Sequence, residues 1–124
     1  MSILNLGTSF LFNTDFKMNE IVDTGATMAG RKVYAKYMTI TAPTSSGVEQ
    51  STAHGISRDV YGYFYIIDII AELSDNSPNF YPLSYYNGST YCTWVANRTN
   101  VTIKTTNSGL LGRNFEALII FMAG

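Results

Sequence analysis

The chain has 124 residues, 46% apolar and only 14% charged, with a formal net charge of −1 and a single cysteine, Cys92. One domain fits that length. A nucleic-acid partner is not expected without a basic run to neutralise phosphates, and Cys92 alone excludes an internal disulfide. No membrane insertion is expected, because the apolar runs fall short of the ~20 residues of a spanning helix. Met1-Ser2-Ile3-Leu4 carries neither the basic start nor the long apolar core of a secretory signal.

Charged residues normally make up about a quarter of a chain. Here Ser, Thr, Asn, Gly and Tyr must cover the surface instead, which suits contacts made by hydroxyls, amides and ring faces. Tyr and Thr are also simply good strand formers.

In chain order, Ile3-Leu4-Asn5-Leu6 and Phe10-Leu11-Phe12 make residues 1–20 an apolar segment suited to docking or to packing along a symmetry axis. Residues 21–124 are expected to form one all-β domain, an antiparallel β-sandwich. Short apolar runs alternate there with Gly, Pro, Asn and Ser clusters, as strands alternate with turns. Val33 to Thr41 alternates, with Tyr34, Lys36, Met38 and Ile40 on one face and Thr39 and Thr41 on the other. A polar loop is expected after it, up to Thr52.

Tyr63 to Leu73 reads as a strand buried on both faces, with Asp68 and Glu72 as polar exceptions; a short helix over Ile66 to Leu73 is the rival. Tyr85-Tyr86 and Tyr91 to Val95 flank Asn87-Gly88-Ser89-Thr90, a hairpin signal. Asn100 to Thr105 alternates, with Val101 and Ile103 inward. Phe115 to Met122 is apolar on both faces apart from Glu116. A small sandwich hides one face of such a strand in its own core, so the excess predicts a homo-oligomer. Phe115, Ile119 and Phe121 are its expected interface.

Candidate chemistry is sparse. His54 is the sole histidine and lacks the partners of a zinc site or catalytic pair. It reads instead as a structural corner with Gly55. Asp68 and Glu72 would lie about 13 Å apart along one strand, unsuited to glycoside hydrolysis across a cleft. Asp75-Asn76-Ser77 lacks the ligand spacing of a calcium loop and reads as a solvated turn. No enzyme activity, cofactor or metal is expected, and Cys92 is expected to be a small buried hydrophobe. Tyr81, Tyr85, Tyr86, Asn87, Trp94, Asn97 and Arg98 gather in sequence around two turns. Such rings and amides suit sugars, whose C–H faces stack and whose hydroxyls hydrogen-bond. Trp94 and some of the tyrosines are equally suited to anchoring a core or an interface. Arg113 is either a further contact or a solvated charge.

The order of four short motifs resembles the receptor-binding domains of bacteriophage tail and head fibres. Gly30-Arg31-Lys32-Val33-Tyr34-Ala35-Lys36 looks like the opening strand of those domains, and His54-Gly55-Ile56 like their central corner. Thr99-Asn100-Val101-Thr102-Ile103-Lys104-Thr105 looks like the penultimate strand and Glu116 to Met122 like the last. The resemblance covers roughly Ile21 to the C-terminus. It implies a jelly-roll sandwich assembled as a homotrimer on the virion surface, on head or tail. Such a trimer would attach to a host glycan or protein and contact other virion proteins. A capsid decoration or head-fibre accessory protein with no receptor site of its own is the alternative.

Overall fold

The computed structural model describes residues 16–74 and 80–124. Ten strands appear in chain order: β1 (Ile21–Met28), β2 (Arg31–Thr41), β3 (Glu49–Ala53), β4 (Phe64–Ile70), β5 (Glu72–Ser74), β6 (Phe80–Pro82), β7 (Tyr85–Asn87), β8 (Thr90–Ala96), β9 (Asn100–Thr105) and β10 (Asn114–Ala123). One helical turn, α1 (Arg58–Tyr61), precedes β4. Four strands form one antiparallel sheet in the order β1-β2-β10-β4, and four form a second in the order β3-β9-β8-β7. β5 and β6 make a small hairpin beside them.

Alternation places one core between the two sheets. The first sheet contributes Met38 and Ile40 from β2, Phe115, Ala117, Ile119 and Phe121 from β10, and Ile69 from β4. The second contributes Cys92, Val101 and Ile103. Register agrees with the faces, since Phe115 pairs with Ile40 and Ala117 with Met38, while Cys92 pairs with Thr105 and Trp94 with Ile103. Phe121 is the aromatic centre of the core. Its ring lies 5.4 Å from Tyr34, 5.5 Å from Tyr61 and 5.8 Å from Phe64.

β10 lies centrally between β2 and β4 and is buried on both faces, as its composition demands. The oligomer interface expected at Phe115, Ile119 and Phe121 is corrected here. All three side chains are enclosed between the chain's own sheets. The opposite face of β10 is closed as well. Leu118 and Ile120 join Val33 and Ala35 in a second buried cluster, with Phe16, Met28, Tyr37 and Ile67 packed against it.

β4, by contrast, is an edge strand, so the expectation of burial on both faces fails for Tyr63 to Leu73. An irregularity between Ile66 and Asp68 bends it. Tyr65 and Ile70 stay exposed, and the run breaks at Ala71 before β5. The rival helix is absent from these residues.

Three strands escape the sequence reading: β6, which pairs with β5, β3 and β1. β3 occupies part of the expected polar loop and pairs with β9 from Glu49↔Lys104 to Ala53↔Asn100. β1 runs through the turn-like Thr24-Gly25 because its bulge is served by side chains. Gly25 N–H donates to Asp23 Oδ1 (2.9 Å), and Thr24 Oγ1–H donates to the Val33 carbonyl (2.7 Å). The hairpin around Asn87-Gly88 is present, with Asn87 paired to Thr90 across the two-residue loop Gly88-Ser89.

Of the N-terminal segment, residues 1–15 lie outside the described residues, as do residues 75–79, which hold the expected turn Asp75-Asn76-Ser77. Phe16 packs on the outer cluster, and Met18 forms a bridge with Tyr37. Because Phe121 is fully buried among three rings, Phe121→Ala is expected to cost about 3–5 kcal/mol and Phe121→Leu markedly less, read from urea denaturation midpoints.

Candidate functional site

The corner after β3 is built from buried polar groups. His54 is enclosed, and its backbone N–H donates to the Thr99 carbonyl (3.0 Å). Its Nδ1 accepts the Ile56 N–H (3.0 Å), while Nε2 faces the Asn97 carbonyl at 2.9 Å. Those partners fix a neutral ring carrying its proton on Nε2. The His54 carbonyl accepts from the ammonium of buried Lys36, 2.6 Å away, which reaches across from β2. Gly55 completes the corner with φ +69°, and a Cβ there would meet Lys36 Nζ at 2.8 Å. The sequence-based reading of His54 and Gly55 as a structural corner therefore acquires its geometry: it ties three separate parts of the chain together.

One of those parts is the β8–β9 turn. Asn97 Oδ1 accepts the N–H groups of Thr99 and Asn100 at 2.9 and 2.8 Å, an Asx turn that presents Arg98 outward. Beside it lies a cleft of about 270 Å³ between the start of β4 and the end of β8, lined by Phe64, Tyr65, Ile66, Trp94, Ala96, Asn97 and Arg98. That volume falls just below the ~300–1,000 Å³ of ligand pockets. It suits one ring of an extended ligand. Trp94 is half-buried, packed on the core on one side and lining the cleft with the rest of its ring.

The seven candidate contact residues thus do not form one site. Trp94, Asn97 and Arg98 share this cleft. Tyr81, Tyr85 and Asn87 line a second hollow with Thr90, Thr106, Asn107 and Ser108. There the Tyr81 and Tyr85 rings stack at 4.7 Å, and Asn107 Nδ2 donates to Tyr85 Oη at 2.9 Å. The two hollows lie at opposite ends of β8, about 20 Å apart at strand rise. Tyr86 belongs to neither. Pleating turns it away from the face of Tyr85, and it is 77% exposed.

Phe64 and Tyr65 were missed as cleft residues; the exposed pair Tyr63-x-Tyr65 offers a signal for the second of them, and nothing in the sequence singles out Phe64. Arg113 is no free contact, because its Nη1 donates to the Ser74 carbonyl (2.9 Å). Cys92 is buried, with its thiol pushed up to about 11 by desolvation, so it stays protonated and unreactive at neutral pH. Among the described residues, no group of three His, Cys, Asp or Glu side chains is placed to hold a metal.

No family model, curated protein or solved structure matches the chain.

Burial holds the His54 pKa below its usual 6.5, and the Lys36 charge acts in the same direction; the Asn97 carbonyl opposes them only in part. The depressed value means that the unfolded chain takes up this proton before the folded one. Stability contributed by the neutral ring is complete above pH 6.5 and declines as the pH falls toward the folded-state pKa. Urea midpoints measured from about pH 7.5 down to 5.5 should therefore fall, and His54→Gln, though less stable at every pH, should show a flatter dependence.

Proposed function

We propose that this chain is a bacteriophage virion protein of the fibre type, a jelly-roll homotrimer that attaches the particle to host-surface glycan. The observation that carries the reading is the cleft in which Trp94, Tyr65, Asn97 and Arg98 converge on a turn fastened by His54. A ring face, an amide and a guanidinium held rigidly around one hollow are the parts from which sugar sites are made.

The motif resemblance supports the same reading. Its opening stretch covers the β1–β2 turn and the start of β2, its corner is the buried His54, and its last two motifs fall on β9 and β10. Jelly-roll winding is supported by the neighbours of two consecutive strand pairs. β2 lies beside β10 in one sheet while β3 lies beside β9 in the other, as when one long ribbon folds across both. The β8–β9 hairpin departs from that pattern.

With Phe115, Ile119 and Phe121 committed to the core, the trimer contact belongs to the outer side of the first sheet. A hollow there is lined by Phe16, Tyr37, Ile70 and Leu118, and exposed Met18 adds apolar surface. The same hollow favours a second reading, in which the chain docks on another virion protein as a decoration or head-fibre accessory with no receptor site of its own.

Three weak sites on one rigid trimer would give avidity 10²–10⁴-fold beyond a single contact on a dense receptor. Sedimentation of the purified chain is expected to give a trimer that Ile70→Asp dissociates; a monomer at micromolar concentration would remove the multivalent mechanism. On a glycan array, binding is expected to fall about tenfold or more in a Trp94→Phe variant that keeps the native melting temperature, since one lost contact of ~1.4 kcal/mol is a factor of ten. Absence of any glycan signal, together with binding to particles stripped of this protein, would favour decoration instead.

A further inference from the structure

Three of the four arginines gather at the end of the molecule where β4 begins. The Arg58 guanidinium lies 4.2 Å from the centre of the Tyr63 ring, and Arg98 lies 5.9 Å from the same ring. Arg31 lies 5.0 Å from the centre of the Tyr65 ring. Tyr63 and Tyr65 are 69% and 51% exposed, so these rings are not core side chains that the arginines merely seal.

None of the three guanidinium groups has a carboxylate partner among the described residues, where the ion pair is Lys32–Asp23 at 3.6 Å. The chain as a whole is slightly acidic, so the gathering is local and runs against the net charge. Two elements bring it about. α1, capped by Ser57 Oγ accepting the Asp59 N–H, sets Arg58 beside Tyr63, and the Asn97 turn sets Arg98 on the other side. Arg98 and Tyr65 both line the Trp94 cleft, and the Tyr63 ring that Arg98 shares with Arg58 links the second guanidinium to that side of it.

Stacking on a ring restricts a guanidinium without using its in-plane N–H donors. Those donors match the two oxygens of a carboxylate, or those of a sulfate or phosphate, with charge-assisted hydrogen bonds roughly twice as strong as neutral ones.

We infer that the Trp94 cleft takes an anionic saccharide, one sugar ring lying against Trp94 and Tyr65 while its acidic substituent is held by Arg98 and Arg58 across Tyr63. This rests on the reading of the cleft as the attachment site and names the class of sugar it accepts. Neutral glycans lack the group that the arginines would hold, and they bind weakly or not at all.

The test is an array carrying uronate-, sialate-, sulfate- and phosphate-bearing glycans beside neutral ones, probed with the purified protein. Retention by at least one acidic class is expected, tenfold or more above the neutral glycans. It should weaken as salt rises from about 0.01 to 0.15 M, which shortens the screening length from about 30 to 8 Å. Arg58→Gln with Arg98→Gln should abolish it at unchanged melting temperature, whereas Lys104→Gln, a cation removed from the outer face of the second sheet, should not. Carboxyl reduction of the retained glycan separates the sources: a carboxylate ligand loses binding, and a sulfate or phosphate ligand keeps it. Equal binding to neutral glycans, or indifference to the double arginine variant, overturns the charge requirement and leaves attachment standing. No retention of any glycan overturns both.

Discussion

Lys36, His54 and Asn97 form the fastening on which this molecule's functional surface depends. An ammonium from the first sheet donates to the His54 backbone carbonyl at the corner after β3, and the imidazole of the same residue donates to the Asn97 carbonyl in the turn of the second sheet. Buried polar groups are costly when unpaired and rigid when fully paired. The turn that carries Asn97 and Arg98 is therefore held from below by the core. Burial lowers the Lys36 pKa as well, so the cost of keeping that cation inside falls on the same corner that supplies its acceptor. Gly55 has the one side chain that leaves room for the ammonium.

Alternation made much of the fold legible. β9 occurs at the residues where Asn100 to Thr105 alternates, and Phe115 to Met122, apolar on both faces, is a central strand with the core on one side and the Val33–Ala35 cluster on the other. What alternation could not supply was position in the sheet. Tyr63 to Leu73 is nearly as apolar as β10, yet it lies at an edge, where Tyr65 and Ile70 face outward. β1 was obscured for a local reason, since Thr24-Gly25 reads as a turn, and the Asp23 and Thr24 side chains stand in for the missing ladder partners. β3 was obscured by composition, because Glu49-Gln50-Ser51 looks like loop until it is paired with β9.

The candidate site was half legible. Sequence proximity collected seven residues around two turns, but a strand separates its ends by its own length, and β8 carries those turns to opposite ends. Tyr85 and Tyr86 are neighbours in sequence that the pleat sends to opposite faces. The cleft itself draws three of its seven lining residues from β4, some thirty residues upstream of Trp94. Only the closure of the two sheets reveals that Tyr63 and Tyr65 belong beside Arg98.

The placement of β10 also governs how this chain reaches its native state. The middle of the first sheet is its last strand, and its neighbour β2 lies more than seventy residues earlier, with Asn114 beside Thr41. Long-range closures of this kind are slow, because chain entropy is lost before contacts repay it. During synthesis β1 and β2 can pair as a hairpin, but β4 has no neighbour in this sheet and the other edge of β2 stays open to pairing with other chains until β10 emerges. Assembly in the cell is thus timed by the final segment of this sheet, and a chaperone or a fast-arriving sister chain has its opening before that segment is made.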